Sequence, residues 1–260
     1  MELISVDREL CRRDGICIEA CPNRSITLDA EGYPVAAADA ACISCGHCVA
    51  VCPHGALDNA RAPMADYTPI ARDRAAFAPL AGLMKARRSV REFKDAPVPR
   101  ETLEQLLDVA RFAPTARHTQ QLSYIMVSDR ERLRGLAEGV AQWLGRSPSR
   151  ARYVRLWNEG HDMVLRGAPH ALIALGDAAN DWGQTDGAIA LSYLELAAAS
   201  LGVGVCWAGL LHRALQQVPE LAAAIGVPAG RQICGALMLG LPKYRYLLVP
   251  SRKQAEVTWL

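Results

Sequence analysis

A chain of 260 residues with 51% apolar side chains and a formal charge of +2 can bury a sizeable core, which argues against disorder. So small a net charge gives no reason to expect nucleic-acid binding or a polybasic membrane anchor. The 29 basic side chains include four Lys (Lys85, Lys94, Lys243, Lys253); the rest are Arg, whose planar fork of donors suits phosphates and carboxylates.

Seven of the nine cysteines fall within the first 52 residues. The N-terminus has no basic stretch followed by an apolar one, so no secretory signal is expected and the chain reads as cytoplasmic. Clustered thiols then point to metal rather than to disulfides. Cys11-x2-Asp14-x2-Cys17-x3-Cys21-Pro22 recurs 31 residues later as Cys42-x2-Cys45-x2-Cys48-x3-Cys52-Pro53. A fixed period means two copies of one unit. Such a run holds cubane iron–sulfur clusters, because short loops bring three soft thiolates to one face and the Pro turns the chain away. Paired Cys-x2-Cys spacings also build zinc sites, but two related runs fit cubanes better. Asp14 stands where the first run should carry its second Cys, and a carboxylate is a harder, weaker iron ligand than a thiolate.

Residues 1–58 form the first expected domain, and 59–80, with Pro63, Pro69 and Pro79 and no clear apolar period, a linker. The second domain, 81–260, alternates helix and strand signals. Leu103, Leu106, Leu107 and Ala110 follow Pro99 as one helical face. A strand is expected over 122–127 and a helix over 130–143. A further helix runs from Pro148 to Arg166, ended by Gly167-Ala168-Pro169. A strand at 171–175, an apolar helix over 184–201, and strands at 203–207 and 233–239 complete the pattern. The apolar run 188–211 is interrupted by Ser192, Glu195, Ser200, Gly202 and Gly204, so it reads as packed helix and buried strand rather than a membrane span. Periodicity leaves α+β and α/β both open. Gly202-Val203-Gly204 lacks the third Gly of a dinucleotide fingerprint, where Trp207 stands. Cys206 and Cys234 read as buried, inert thiols. Tyr153, Trp157 and His161 belong to a helix that packs or forms a lid.

The first 55 residues or so resemble bacterial two-cluster ferredoxins, in which the fourth Cys of each run crosses to the other cluster. That resemblance implies one cluster on Cys21, Cys42, Cys45 and Cys48 and another on Cys11, Cys17 and Cys52. The first is 4Fe–4S. The second is either 3Fe–4S or a 4Fe–4S whose odd iron meets Asp14 or solvent.

Downstream, Arg87-Arg88-Ser89-Val90-Arg91-Glu92-Phe93 concentrates guanidinium groups and a hydroxyl, a set suited to a phosphate. Ala113-Pro114-Thr115-Ala116-Arg117-His118-Thr119-Gln120, Trp207-Ala208-Gly209, Gly240-Leu241-Pro242-Lys243 and Arg252-Lys253 follow. In this order they resemble the nitroreductase family of FMN-dependent oxidoreductases, and the fused N-terminus resembles its ferredoxin-type subgroup. The resemblance implies an α+β sandwich with a central, mainly antiparallel sheet flanked by helices. It implies that Arg87, Ser89 and Arg91, with Arg88, hold the FMN phosphate, and that Arg252 and Lys253 close on it. Pro114, Thr115 and Gln120 match a loop that crosses a homodimer interface, where His118 replaces the family's usual Asn. Ala208 and Gly209 match the turn facing flavin N5. No catalytic residue is singled out. The implied function is an oxidoreductase passing electrons to a nitro compound, quinone or other small conjugated acceptor, loaded by NAD(P)H or by a ferredoxin-type donor. The alternative is an electron-transfer module serving a protein partner. Glu256-Val257-Thr258-Trp259 alternates like a strand able to join a neighbour's sheet.

Overall fold

The computed structural model describes every residue except Met1, Arg72 and Arg74. The chain divides into two compact units, Met1–Arg74 with Arg117–Thr119, and Ala75–Ala116 with Gln120–Leu260.

The first unit repeats itself as its sequence does. It runs β1 (Ile4–Val6), α1 (Ile16–Glu19), β2 (Ile26–Leu28), β3 (Pro34–Ala36), α2 (His47–Ala50) and β4 (Leu57–Asn59). Strands β1 and β4 pair antiparallel, as do β2 and β3. The backbone follows the same 31-residue period. Arg13 and Ser44 have φ of 55° and 58°, and Gly15 and Gly46 have 74° and 70°. Glycine takes that left-handed conformation without a Cβ penalty, and both glycines sit at helix starts inside the cysteine loops. Ile4, Ile26, Val49 and Leu57 form the small core with Cys17 and Cys48. The segment 59–80, expected as a linker, contains the end of β4, a short 3-10 turn at Met64–Asp66 and the start of a helix.

The second unit begins with α3 (Phe77–Ala86) and α4 (Arg100–Ala110), continues with β5 (Ser123–Val127), α5 (Arg130–Gly145) and α6 (Ala151–Asn158), and then reaches β6 (His170–Asp177). It ends with α7 (Gly183–Ser200), β7 (Gly204–Trp207), α8 (Gly209–Gln217), α9 (Pro219–Ala224) and β8 (Arg231–Gly240). The four strands form one sheet in the order β5-β6-β8-β7, every pairing antiparallel. Alternate side chains feed two cores. Ile173, Leu175, Ile233 and Met238 pack with α5 and α8, while Leu172, Leu237 and Leu239 pack with α4 and α7. Each such side chain fully removed from water contributes roughly 1.5–3 kcal/mol. The architecture is α+β, a helix–sheet–helix sandwich. No helix among the described residues is long and apolar enough to cross a membrane.

One expected element is shorter than its pattern. The helix expected to reach Arg166 stops at Asn158. Gly160 turns left-handed at φ 86°, its N–H donates to the Trp157 carbonyl, and the His161 N–H reaches back to Leu156. This is a Schellman stop built on glycine. Asp162 then accepts from the N–H groups of Val164, Leu165 and Gly167, holding a turn instead of a helix.

Candidate functional site

The eight N-terminal ligand candidates separate into two rings. One small cavity is bordered by Cys21, Cys42, Cys45 and Cys48, the other by Cys11, Asp14, Cys17 and Cys52. Each ring takes one member from the other repeat. Among the described residues no three Cys, His, Asp or Glu side chains converge as a single ion requires; the donors surround a volume instead of a point.

Backbone N–H groups of Ser25, Ser44 and Ala56 donate to the sulfurs of Cys21, Cys42 and Cys52 at 3.2, 3.4 and 3.4 Å. Asn59 Nδ2 donates to Cys42 Sγ at 3.7 Å and Cys48 Sγ at 3.9 Å. Such donors favour thiolate, whereas burial pushes the Cys17 and Cys48 thiols upward. Ser25 is 3% exposed and borders the Cys21 ring, and its hydroxyl has no partner among the described residues. An orphan hydroxyl beside four soft thiolates fits a sulfur-rich cluster that would satisfy it. In the other ring, Asp14 Oδ1 accepts from the Ile16 N–H at 3.2 Å and Oδ2 lies 3.6 Å from His54 Nε2.

In the second unit, the chain leaving α3 runs beside the sheet. Ser89 bridges Val205 in parallel and Phe93 bridges Pro242 antiparallel, with the Val90 N–H donating to the Val205 carbonyl at 3.0 Å. Arg87 and Arg88 border an open cavity of about 540 Å³ with Lys94, Glu195, Lys243 and Arg245. Arg87 Nη1 lies 3.3 Å from Glu195 Oε1, and Glu195 Oε2 accepts from Trp207 Nε1 at 3.2 Å. Burial pushes the Glu195 carboxyl up, against the pull of the Arg87 charge and the Trp207 donor. Arg88 donates to the Lys85 and Ala86 carbonyls, closing the end of α3.

Arg91 borders a second cleft with Arg166, Cys206, Trp207, Gly209 and Arg213. Ala208 is buried, and its N–H donates to the Ala236 carbonyl at 2.9 Å. Gly209 opens α8, and a Cβ built there meets nothing within 4 Å. A ligand can therefore approach that backbone closely, at a helix end whose free N–H groups favour negative charge.

The loop after α4 is backbone-strained. Arg117, His118 and Gln120 have φ of 53°, 55° and 50°, a state non-glycine residues hold only when their surroundings over-determine it. The Gln120 N–H donates to Thr115 Oγ1 at 3.0 Å, and the Ala116 N–H, just after Pro114 and Thr115, donates to buried Asp186 at 2.9 Å. Arg252 and Lys253 lie on an exposed tail without regular structure and border neither basic cleft, and residues 256–259 form no strand in the single chain. Tyr153 borders the Arg91 cleft, Trp157 packs against the core, and His161 follows the helix stop. Cys206 and Cys234 are buried in β7 and β8. The sequence reading missed Ser25, Asn59 and Glu195. Glu195 carried a signal, an acid in the apolar body of a helix whose other acid, Asp186, sits in the first turn.

Comparison with known proteins places these features in a family. The nitroreductase family model matches residues 84–241, and a 4Fe-4S dicluster domain matches residues 3–53. The chain belongs to the nitroreductase family. It is 28% identical over 182 residues to the FMN reductase (NAD(P)H) of Bacillus subtilis, covering 65% of this chain and 68% of that protein. It is 31% identical over 184 residues to the 5,6-dimethylbenzimidazole synthase of Rhodospirillum rubrum, covering 63% and 82%. Among solved structures, the FMN-bound nitroreductase of Bacteroides fragilis superposes with a TM-score of 0.60 at 26% identity, covering 70% of this chain and 97% of that one.

Proposed function

We propose that the chain is an iron–sulfur flavoenzyme, an FMN-dependent oxidoreductase that passes electrons through two clusters and FMN to a small conjugated acceptor such as a nitro compound or quinone. The observation that carries this reading is the division of eight ligands into two rings within a chain of a flavin-using family. Cys21, Cys42, Cys45 and Cys48 hold one 4Fe–4S cluster. Cys11, Cys17 and Cys52 hold the other, with Asp14 at its weak corner.

Arg87, Ser89 and Arg91 bind the FMN phosphate and steady the ring, and Arg252 and Lys253 close over it from the tail. Arg88 supports them by fixing the end of α3. The Ala208–Gly209 backbone lets the ring lie close, and Arg91 and Arg213 in the same cleft stabilise negative charge on it. Pro114, Thr115, His118 and Gln120 complete the partner's flavin site in a homodimer. Bound FMN supplies hydride or single-electron chemistry.

The test is anaerobic. Purified protein should carry FMN, iron and sulfide, sediment as a dimer, and turn over a nitroaromatic or quinone once its flavin is bleached. Bleaching by NADH or NADPH identifies a nicotinamide donor, and bleaching only by dithionite or reduced ferredoxin identifies a one-electron donor. A flavin that bleaches yet never turns over with small acceptors overturns the enzyme in favour of an electron relay.

A further inference from the structure

The two cluster rings are built by the same 31-residue repeat, so every position beside one ring has a counterpart beside the other. Beside the exchanges Asp14/Cys45, Arg12/Ile43 and Asn23/His54, two further pairs break that symmetry by setting a buried polar side chain against an apolar one. Ser25 corresponds to Ala56, each residue directly preceding a strand of the repeat (β2 and β4), and each donates its backbone N–H to the last Cys of its run. Asn59 corresponds to Leu28, each the last residue of the same strand pair. Ser25 and Asn59 both border the ring of Cys21, Cys42, Cys45 and Cys48, while Ala56 and Leu28 both border the ring of Cys11, Asp14, Cys17 and Cys52. One ring therefore has two polar side chains where the other has a methyl and an isobutyl group.

Both polar groups are buried beside the ring, and Asn59 is aimed at sulfur. Asn59 is 2% exposed and its amide already reaches Cys42 and Cys48. Ser25 is 3% exposed and its hydroxyl is unpartnered among the described residues. A buried hydroxyl with no acceptor is costly, so its place beside the ring calls for an acceptor there, which a sulfide of the proposed cluster would supply.

Resting on the two-cluster reading above, we propose that Ser25 and Asn59 are positioning residues that raise the reduction potential of the cluster held by Cys21, Cys42, Cys45 and Cys48. A reduced cluster carries one more negative charge, spread over its sulfurs. Donors aimed at those sulfurs stabilise the reduced form more than the oxidised one, and hydrogen bonds to sulfur are one of the protein's levers on cluster potential. The Leu28–Ala56 side lacks both donors. At these two equivalent positions the repeat thus sets donors beside one cage and apolar groups beside the other, which favours the extra electron on the Cys21 cluster.

The experiment installs in each ring the residue its counterpart already carries. Ser25→Ala and Asn59→Leu are made separately in the full chain, and both clusters are followed by electron paramagnetic resonance during anaerobic redox titration. Each variant should lower the midpoint of the Cys21 cluster alone. The expected size is about a tenfold fall in its reduced-to-oxidised ratio at fixed potential, about 59 mV for one electron. The reverse change, Ala56→Ser, should raise the midpoint of the other cluster, which a loss of folding would not do. Wild-type-like midpoints in all three variants, or equal shifts of both clusters, overturn the proposal while leaving the two-cluster reading intact. A wild-type protein with iron and sulfide for fewer than two clusters overturns that reading, and this proposal with it.

Discussion

Arg87 and Glu195, 108 residues apart in sequence, meet at 3.3 Å, and the carboxylate's second oxygen takes the indole N–H of Trp207. Glu195 thereby ties the guanidinium-rich segment after α3 to the strand that leads into Ala208–Gly209. Removing the carboxylate leaves the Arg87 guanidinium and the Trp207 indole N–H without their acceptor, whereas a neutral isostere keeps an oxygen for them. Glu195→Ala should therefore weaken FMN binding about tenfold, about 1.4 kcal/mol, with Glu195→Gln falling between it and the wild type. Fluorescence titration of the apoprotein with FMN measures it, and equal affinities in all three would show that Glu195 does not set the site.

If Arg87 and Ser89 hold the FMN phosphate as proposed, replacing both with Ala should release the flavin, because the phosphate would lose its main donors. The double change is best made beside Glu195→Gln, so that no unpaired buried charge confuses the outcome. Full FMN occupancy after gel filtration would remove the phosphate assignment.

Among the eight proposed ligands bordering the two rings, Asp14 is the one oxygen donor. Oxygen binds iron more weakly than thiolate does, so brief oxidation should convert the Cys11–Cys17–Cys52 cluster, and no other, to 3Fe–4S. Asp14→Cys should suppress that conversion. Electron paramagnetic resonance after timed exposure to ferricyanide decides between these outcomes, and an equal 3Fe–4S signal in both proteins would clear Asp14 of the role.

His170 is a buried neutral imidazole. The Val98 N–H donates to Nε2 at 2.9 Å, which leaves Nδ1–H to donate to Ser128 Oγ at 2.7 Å. Burial holds its pKa below the ordinary 6.5, and burial acts the same way on His212. Below pH 6.5 the unfolded chain takes up protons that the native state refuses, so stability present above that pH is lost as pH falls toward the folded pKa. The urea midpoint should drop between pH 7.5 and 5.5. In His170→Leu the unfolding free energy should start lower, by about 1–3 kcal/mol for the orphaned Val98 N–H, and the midpoint should drop less with pH. A pH dependence identical to the wild type would exclude His170 as a source.

Gly187 lets α7 lie directly on β8. A Cβ there would stand 2.5 Å from Cys234 Cβ and 3.1 Å from the Cys234 carbonyl oxygen. Gly187→Ala should cost about 1–3 kcal/mol by overpacking, despite alanine's better helix propensity. Chemical denaturation measures the cost, and an unchanged or higher midpoint would show that the helix can lift without penalty.

Sequence alone determined whatever is encoded over short spans. The cysteine repeat carried its own period into the backbone, down to matching left-handed residues at Gly15 and Gly46, because loops of two or three residues leave few conformations. The strands β5, β6, β7 and β8 and the helices α4, α5 and α7 were legible from the spacing of apolar side chains. Beyond Asn158 the polar and apolar spacing still suited a helix, and one left-handed glycine with the Asp162 turn overrode it. The short helices α3, α8 and α9 carried no distinct pattern, since their burial depends on what packs against them. Tertiary structure alone decided that Glu195 faces Arg87 and that Ser25 and Asn59 face one ring while Ala56 and Leu28 face the other. Those relationships join residues far apart in the chain, or compare two copies of a fold, and neither leaves a mark in local spacing.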